Sequence, residues 1–239
     1  MTLGGAARWG MRFGVDGKLE DSLAACLTDQ NPGGQKTPMG ITAENLAQKY
    51  GISREDCDNY ALQSQQRYQA GVAAGAFKDE ISPVTIKTRK GDVVISADEH
   101  PKPNSSLQGL QKLPSVFIPK TGTVTAGNAS GICDGAAANV VMSESALKKY
   151  NVKPLARIAS YAWSACEPSI MGIGPVVSVR EALAKIGKTL DDMDFVDINE
   201  AFAAQWLAVQ KELEIPNEKA NLFGGAIAVG HPLAASGAR

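Results

Sequence analysis

The sequence predicts an α/β fold with largely parallel strand pairing. Short apolar runs alternate with helical patterns after residue 120, an order that lays helices against a parallel sheet. Hydrophobic residues make up 44% of the 239 positions, enough for a substantial core. No internal repeat of solenoid period breaks the alternation.

Residues 1–40 are rich in glycine and proline, with a short polar helix expected at "LEDSLAACLTD". "TPMGITAEN" reads as a loop entering a helix, with Thr42 as its N-cap. The next helix, "SREDCDNYALQSQQRYQAGVAAGAF", opens on Ser53 with Asp56 three residues on. Cys57, Tyr60, Ala61, Ser64, Tyr68 and Val72 form its apolar stripe, so both tyrosines read first as packing residues. "SPVTIKT" and "GDVVISA" alternate in polarity around a turn, a hairpin pattern. "EHPKPNSSLQGLQKLPSVFIPKTG" is an irregular stretch with a short helix at most.

Beyond it, "TVTAGNASGICDGAAANVVMS" reads as a small-residue loop and a buried strand. "ESALKKY" reads as a helix and "LARIASYAW" as a strand. "SVREALAKIG" carries a capping box from Ser178 to Glu181. "FVDIN" is a short apolar strand. "EAFAAQWLAVQKEL" is a helix with Phe202, Trp206, Val209 and Leu213 on one stripe.

A net charge of -1 and a pI near 6.2 argue against a broad basic surface for nucleic acid. Four cysteines without a C-x-x-C pair fit a reducing compartment rather than a disulfide scaffold. With two histidines, they also argue against a structural zinc site. No apolar run approaches the roughly 18–20 residues of a membrane span. The N-terminus has arginines but no apolar core of a secretory signal, and its glycines oppose a presequence helix.

Three stretches carry candidate chemistry. In "GGAIAVGHP", Pro232 pushes His231 toward extended geometry and Gly230 permits a positive φ. An imidazole held this way suits a general base or an oxyanion donor, or simply a tight turn. In "VDINEAFA", Asn199 stands where a strand ends and a helix begins, a ligand-binding place in α/β sheets and equally an N-cap. In "GTVTAGNASGICDGAAA", small residues admit close approach and Asn128 and Ser130 offer polar contacts; the same stretch reads as a packed turn. It is neither a G-x-G-x-x-G nor a Walker A loop.

Together "TVTAGNASG", "NEAFA" and "GGAIAVGHPLAASGAR" resemble the thiolases, in order and spacing. The resemblance extends through "TAENLAQKYGISREDCDNYALQSQQR" and "SIMGIGPV" to nearly the whole chain. It is closest to the mitochondrial 3-ketoacyl-CoA thiolases, or acetyl-CoA acyltransferases, through "KLEDSL", "LTDQ", "DEH" and "QKLPSVF". Pro38 before Met39 points the same way, because biosynthetic acetoacetyl-CoA thiolases carry a histidine there.

The resemblance implies a layered αβαβα fold, incomplete here. Residues 1–120 would hold a loop domain inserted in the N-terminal half, residues 121–152 the end of that half, and residues 153–239 a truncated C-terminal half. It implies cleavage of a 3-ketoacyl-CoA by CoA in fatty acid β-oxidation, with CoA as co-substrate and no permanently bound cofactor or metal. His231 would activate a cysteine nucleophile, and Asn199 would position an oxyanion water. Met39, Ala126, Gly127, Ser130, Met171, Ala201 and Phe202 would line the pantetheine and acyl region. Lys102 would face a CoA phosphate, or be a solvated loop lysine. The intact protein would be a homodimer or homotetramer in the mitochondrial matrix, with cytoplasm or peroxisome as alternatives.

Two departures stand out. The family's Gly-flanked nucleophilic cysteine and its C-x-G-G-G cysteine match none of Cys26, Cys57, Cys133 and Cys166, which read as packing residues. Both ends therefore read as cut, and the chain is expected to lack turnover. An acetoacetyl-CoA thiolase and a non-catalytic CoA-binding or oligomer-modulating protein are the rival readings. Ala234 also replaces a usual glycine, where a methyl would crowd a close backbone approach.

Overall fold

The computed structural model describes residues 36–239, together with Ala25 and Thr28. The chain divides into two compact units, Met1–Met39 and Gly40–Arg239. Ala25 and Thr28 are helical; the rest of the helix expected at "LEDSLAACLTD", with Cys26, lies outside the described residues.

Helix α1 (Met39–Tyr50) starts earlier than expected, so Thr42 is buried inside it instead of capping it. Pro38 immediately precedes the helix, where a missing N–H costs nothing. Gly40 in the first turn lies against the Phe117 ring, which an added Cβ would strike. Helix α2 (Arg54–Ala74) opens with the expected capping box between Ser53 and Asp56. It closes on Gly75 at φ 74, a left-handed cap that glycine adopts without penalty. Five residues of its stripe are buried; Val72, at 49% exposed, is the exception.

Strands β1 (Val84–Thr88) and β2 (Gly91–Ile95) pair antiparallel as the expected hairpin. Neither face of the hairpin is buried: Val84, Ile86, Val93 and Val94 are all exposed. Helix α3 (Leu107–Gln111) follows, and Arg54 donates to the carbonyls of Leu110 and Leu113, fixing it to the start of α2. Helix α4 (Glu144–Tyr150) is capped by Ser143.

Two expected strands are absent. Val140 and Val141 are 87% and 76% exposed, and Leu155, Ile158, Tyr161 and Trp163 are exposed as well. An apolar run becomes a strand only when a neighbour takes its backbone hydrogen bonds. Among the described residues neither run has one: the only multi-stranded ladder is β1–β2. Parallel pairing is confined to isolated bridges, among them Val196–Ala220, which realises part of "FVDIN", and Ile132–His231.

Helix α5 (Gly174–Ala184) follows a 3-10 turn (Pro168–Ile173) and starts ahead of Ser178. Pro175 in its first turn sets that start. The Ser178 hydroxyl, now inside the helix, shares a 2.8 Å hydrogen bond with that of Ser164, so the expected capping box does not form. Helix α6 (Ala203–Leu213) is the centre of the core. Trp206, Val209 and Leu213 bury the predicted stripe, and Trp206 packs on Tyr60 with ring centroids 5.7 Å apart. A short 3-10 turn (Asn217–Lys219) and helix α7 (Ala226–Val229) complete the order. Among the described residues, no helix is long and apolar enough to cross a membrane, and no group of three or more His, Cys, Asp or Glu could hold a metal.

Cys57 lies in this core, 1% exposed. Burial, then the charges of Asp58, Asp56 and Glu44, pushes its thiol up to about 12. A thiol that stays protonated and covered is a poor nucleophile. In native protein at pH 8, an aromatic disulfide reagent is expected to leave Cys57 unmodified and to reach it only after denaturation. Rapid native labelling of Cys57, located by mass spectrometry, would contradict this placement.

Candidate active site

Three loops far apart in sequence meet through their backbones. Asn128 anchors the first. It is 1% exposed, its Oδ1 accepts from Thr125 N at 2.8 Å, and its Nδ2 donates to Asp58 and to Thr123 O. Asn128 is therefore an internal brace for its loop, not the polar ligand contact expected of it. Glu44 holds the strip before it, accepting from Thr123 N, Thr123 Oγ1 and Val124 N. From this loop, Ser130 N donates to Ala201 O at 2.9 Å, and Asn128 O accepts from Ala203 N at 2.9 Å. Gly131 O accepts from His231 N at 2.8 Å. The loop is thus stitched to the stretch holding Asn199 and to the stretch holding His231.

That stitching places Asn199 Nδ2 3.3 Å from His231 Nε2. Asn199 is exposed and does not cap α6; the N-cap position belongs to Phe202, in extended geometry at φ -144. His231 itself is half-buried. On the other side of the ring, His231 Nδ1 lies 2.7 Å from Ser236 Oγ. Burial holds the imidazole below its ordinary 6.5 and favours the neutral ring. Gly230 takes φ 88, and an added Cβ there would meet Cys133 Sγ at 2.6 Å. Glycine is therefore required ahead of His231 by both conformation and contact.

The other predicted residues distribute unevenly. Ala201 and Phe202 sit beside Asn199, both half-buried, and Phe202 meets Phe117 edge-on at 6.4 Å. Ser130 is half-buried on the same seam. Ala126 is exposed at the loop's start, while Gly127 packs on protein: a Cβ there would meet Leu110 Cδ2 at 2.5 Å. Met171 is half-buried in the 3-10 turn before α5, its carbonyl 3.6 Å from Cys166 Sγ. Lys102 is exposed, and its N–H donates to Gln65 Oε1, while Gln65 Nε2 donates to Ile227 O at the base of the His231 loop. Met39 is half-buried at the first position of α1. Ala234 is exposed in the final turns, so its methyl meets solvent.

No described cysteine is hydrogen-bonded to a His231 ring nitrogen, whose partners are Asn199 and Ser236. Cys133 meets the backbone N–H of His231, and its thiol is raised, chiefly by burial. The Ser236 hydroxyl contact with His231 is one that sequence reasoning missed. Glu200 was missed too. It is 0% exposed and accepts from Tyr60 Oη and Ser64 Oγ, each at 2.6 Å, and from Asn221 Nδ2 and Ile227 N. Its position next to Asn199 is the only sequence signal that could have raised it.

Residues 2–145 match the family described as "Thiolase, N-terminal domain", and residues 152–239 match "Thiolase, C-terminal domain". The mitochondrial 3-ketoacyl-CoA thiolase of Mus musculus is 58% identical over 232 residues, covering 97% of this chain and 57% of the mouse protein. An acetyl-CoA acetyltransferase of Chromobacterium violaceum is 57% identical over 238 residues, 98% of this chain and 59% of that one. The crystal structure of human mitochondrial 3-ketoacyl-CoA thiolase in complex with CoA superposes with a TM-score of 0.83 at 51% identity, across 97% of this chain and 57% of that one. The chain thus spans under three fifths of the length of these relatives. With both family domains matched and the αβ fold shared, the chain belongs to the thiolase family.

Proposed function

We propose that this chain carries the base and oxyanion side of a thiolase acyl-transfer site. The observation that carries the reading is the pair of exposed Asn199 and half-buried His231, 3.3 Å apart, held by backbone bonds from a third loop. In the reaction, a 3-ketoacyl-CoA and CoA become acetyl-CoA and an acyl-CoA shortened by two carbons. His231 Nε2 takes the proton from a cysteine thiol, and the resulting thiolate attacks the keto carbon. The Cα–Cβ bond then breaks, and the acetyl α-carbon takes a proton from the family's second cysteine as acetyl-CoA leaves. That second cysteine, now a thiolate, would take the proton of the incoming CoA thiol; the CoA sulfur attacks the acyl-cysteine thioester, and the released cysteine thiolate recovers its proton from His231. Neutral thiols are only a few per cent thiolate at pH 7, so a neutral imidazole held nearby is the chemistry required. Asn199 would orient a water toward the thioester oxygen, a class of contact that contributes roughly 10²–10³ in rate.

The pantetheine arm would run along Ser130, Ala201 and Phe202, with Ala126, Gly127 and Met171 flanking it and Lys102 offering charge to a phosphate. We also infer the division into a loop domain over 1–120, an N-terminal remainder over 121–152 and a C-terminal half over 153–239. A mitochondrial location is supported by the name of the mouse relative; the matrix, a β-oxidation role and a homodimeric or homotetrameric assembly rest on the family resemblance and belong to the same proposal. An acetoacetyl-CoA thiolase is the second reading, favoured by the bacterial acetyl-CoA acetyltransferase at 57% identity. Pro38 speaks for the broad-chain reading, and rates against a chain-length series of 3-ketoacyl-CoA substrates, measured on an active assembly, separate the two.

Three outcomes are expected. Calorimetry of the purified chain with CoA shows saturable binding, and absence of heat at millimolar CoA would remove the reading. The same chain alone consumes no 3-ketoacyl-CoA, because the His231 ring is bonded to Asn199 and Ser236 and to no described thiol; CoA-dependent loss of the enolate absorbance would contradict this. Finally, the His231 ring titrates below 6.5 by NMR. Its folded pKa is depressed, so the unfolded chain binds more protons as pH falls through 6.5. The folding stability linked to this ring is therefore full above 6.5 and declines below it. A midpoint above 6.5 would overturn the assigned environment.

A further inference from the structure

We propose that Ser236 is a positioning residue that sets the tautomer of His231, placing the ring proton on Nδ1 and the basic lone pair on Nε2. The inference deepens the reading of His231 as a base and rests on it for its purpose, though not for its geometry.

The argument is a count of donors and acceptors. Asn199 Nδ2 can only donate, so His231 Nε2, 3.3 Å away, must accept. A neutral imidazole then carries its single proton on Nδ1. The partner of Nδ1 is Ser236 Oγ at 2.7 Å. Ser236 has one proton of its own, and a second neighbour stands ready for it: Pro232 O, an acceptor only, at 3.3 Å. Three hydrogen bonds thus run one way, from Asn199 to His231 to Ser236 to Pro232 O. The reversed run would turn the Asn199 amide over, place the ring proton on Nε2 and spend the serine proton on Nδ1, leaving Pro232 O without it.

Local chain geometry makes the relay possible. Ser236 N also donates to Pro232 O at 3.0 Å, closing a turn that carries the hydroxyl back under the ring. Ala235 N donates to the same carbonyl at 2.8 Å. Pro232 therefore acts twice: its ring restrains His231, and its carbonyl ends the relay. In water a histidine side chain prefers its proton on Nε2, so the serine reverses the default. When Nε2 takes a thiol proton, the Nδ1–H bond to Ser236 stays in place, and the imidazolium forms without the ring turning.

The test uses the whole chain, labelled with ¹⁵N-histidine, at a pH above the ring's titration. Long-range ¹H–¹⁵N correlation separates protonated from bare ring nitrogens, and H100Q assigns the two histidines. The expected result is a protonated Nδ1 and a bare Nε2 at His231. S236A should move the majority of the population to Nε2–H, and S236T, which keeps a hydroxyl, should restore the original pattern. A wild-type ring protonated on Nε2 would overturn the proposal, as would an unchanged tautomer in a folded S236A. Should S236A fail to fold, the wild-type spectrum decides alone. No CoA is present in the sample, so failure of the thiolase reading would leave this result standing.

Discussion

The site depends on a buried carboxylate that pairs with no cation among the described residues. Glu200 is fully buried and accepts hydrogen bonds from Tyr60, Ser64, Asn221 and Ile227 N. Those donors come from α2, the loop after the second 3-10 turn and α7, so one side chain ties the long helix to the stretches that hold Asn199 and His231. An isolated buried carboxylate is costly; one satisfied by several convergent donors is a rigid joint. Burial, followed by the charge and hydrogen bond of Glu200, pushes the Tyr60 hydroxyl upward and keeps it a donor. Asn221 extends the joint, since its amide bridges Ile198 N and Ile198 O while reaching Glu200. Asn199 sits between Ile198 and Glu200 and inherits their rigidity.

Around that joint, other polar groups act as braces for irregular backbone. Glu44 holds the strip at Thr123–Val124, Asp58 holds Asn128, and Arg67 takes the carbonyls of Asn217 and Ala220. The loops near His231 have little regular structure to fix them, so side chains on α1 and α2 supply the missing hydrogen bonds. The apolar core of α6 fixes the helices, and the helices fix the loops.

Much of this was legible in local chemistry. The capping box at Ser53, the hairpin around Lys90, the stripe of α6 and the conformational demands at Gly230 all follow from nearby residues. What was not legible is long-range. Glu200 reads in sequence as an acidic residue in a helix's first turn, and its burial needs Tyr60 and Ser64, more than a hundred residues away. "NVVMS" and "LARIASYAW" have strand-like composition, but a strand is a property of its neighbour as well as of itself. The early starts of α1 and α5 trace to Pro38 and Pro175, whose role as helix openers competes with the serine and threonine signals downstream. The Asn199–His231 pair was reached by resemblance, since nothing in their spacing of 32 residues requires contact.

The uncovered apolar runs bear on how the chain behaves in bulk. Among the described residues, Val140–Val141 and Leu155–Trp163 belong to no strand ladder and expose large apolar side chains, which is the kind of surface that templates pairing between molecules. Exposed Lys148, Lys149, Lys153 and Arg157 lie between and within these runs. Like charges meeting across two such edges repel, so ionic strength becomes the control on colloidal behaviour: dilute buffer keeps copies apart, and salt brings them together.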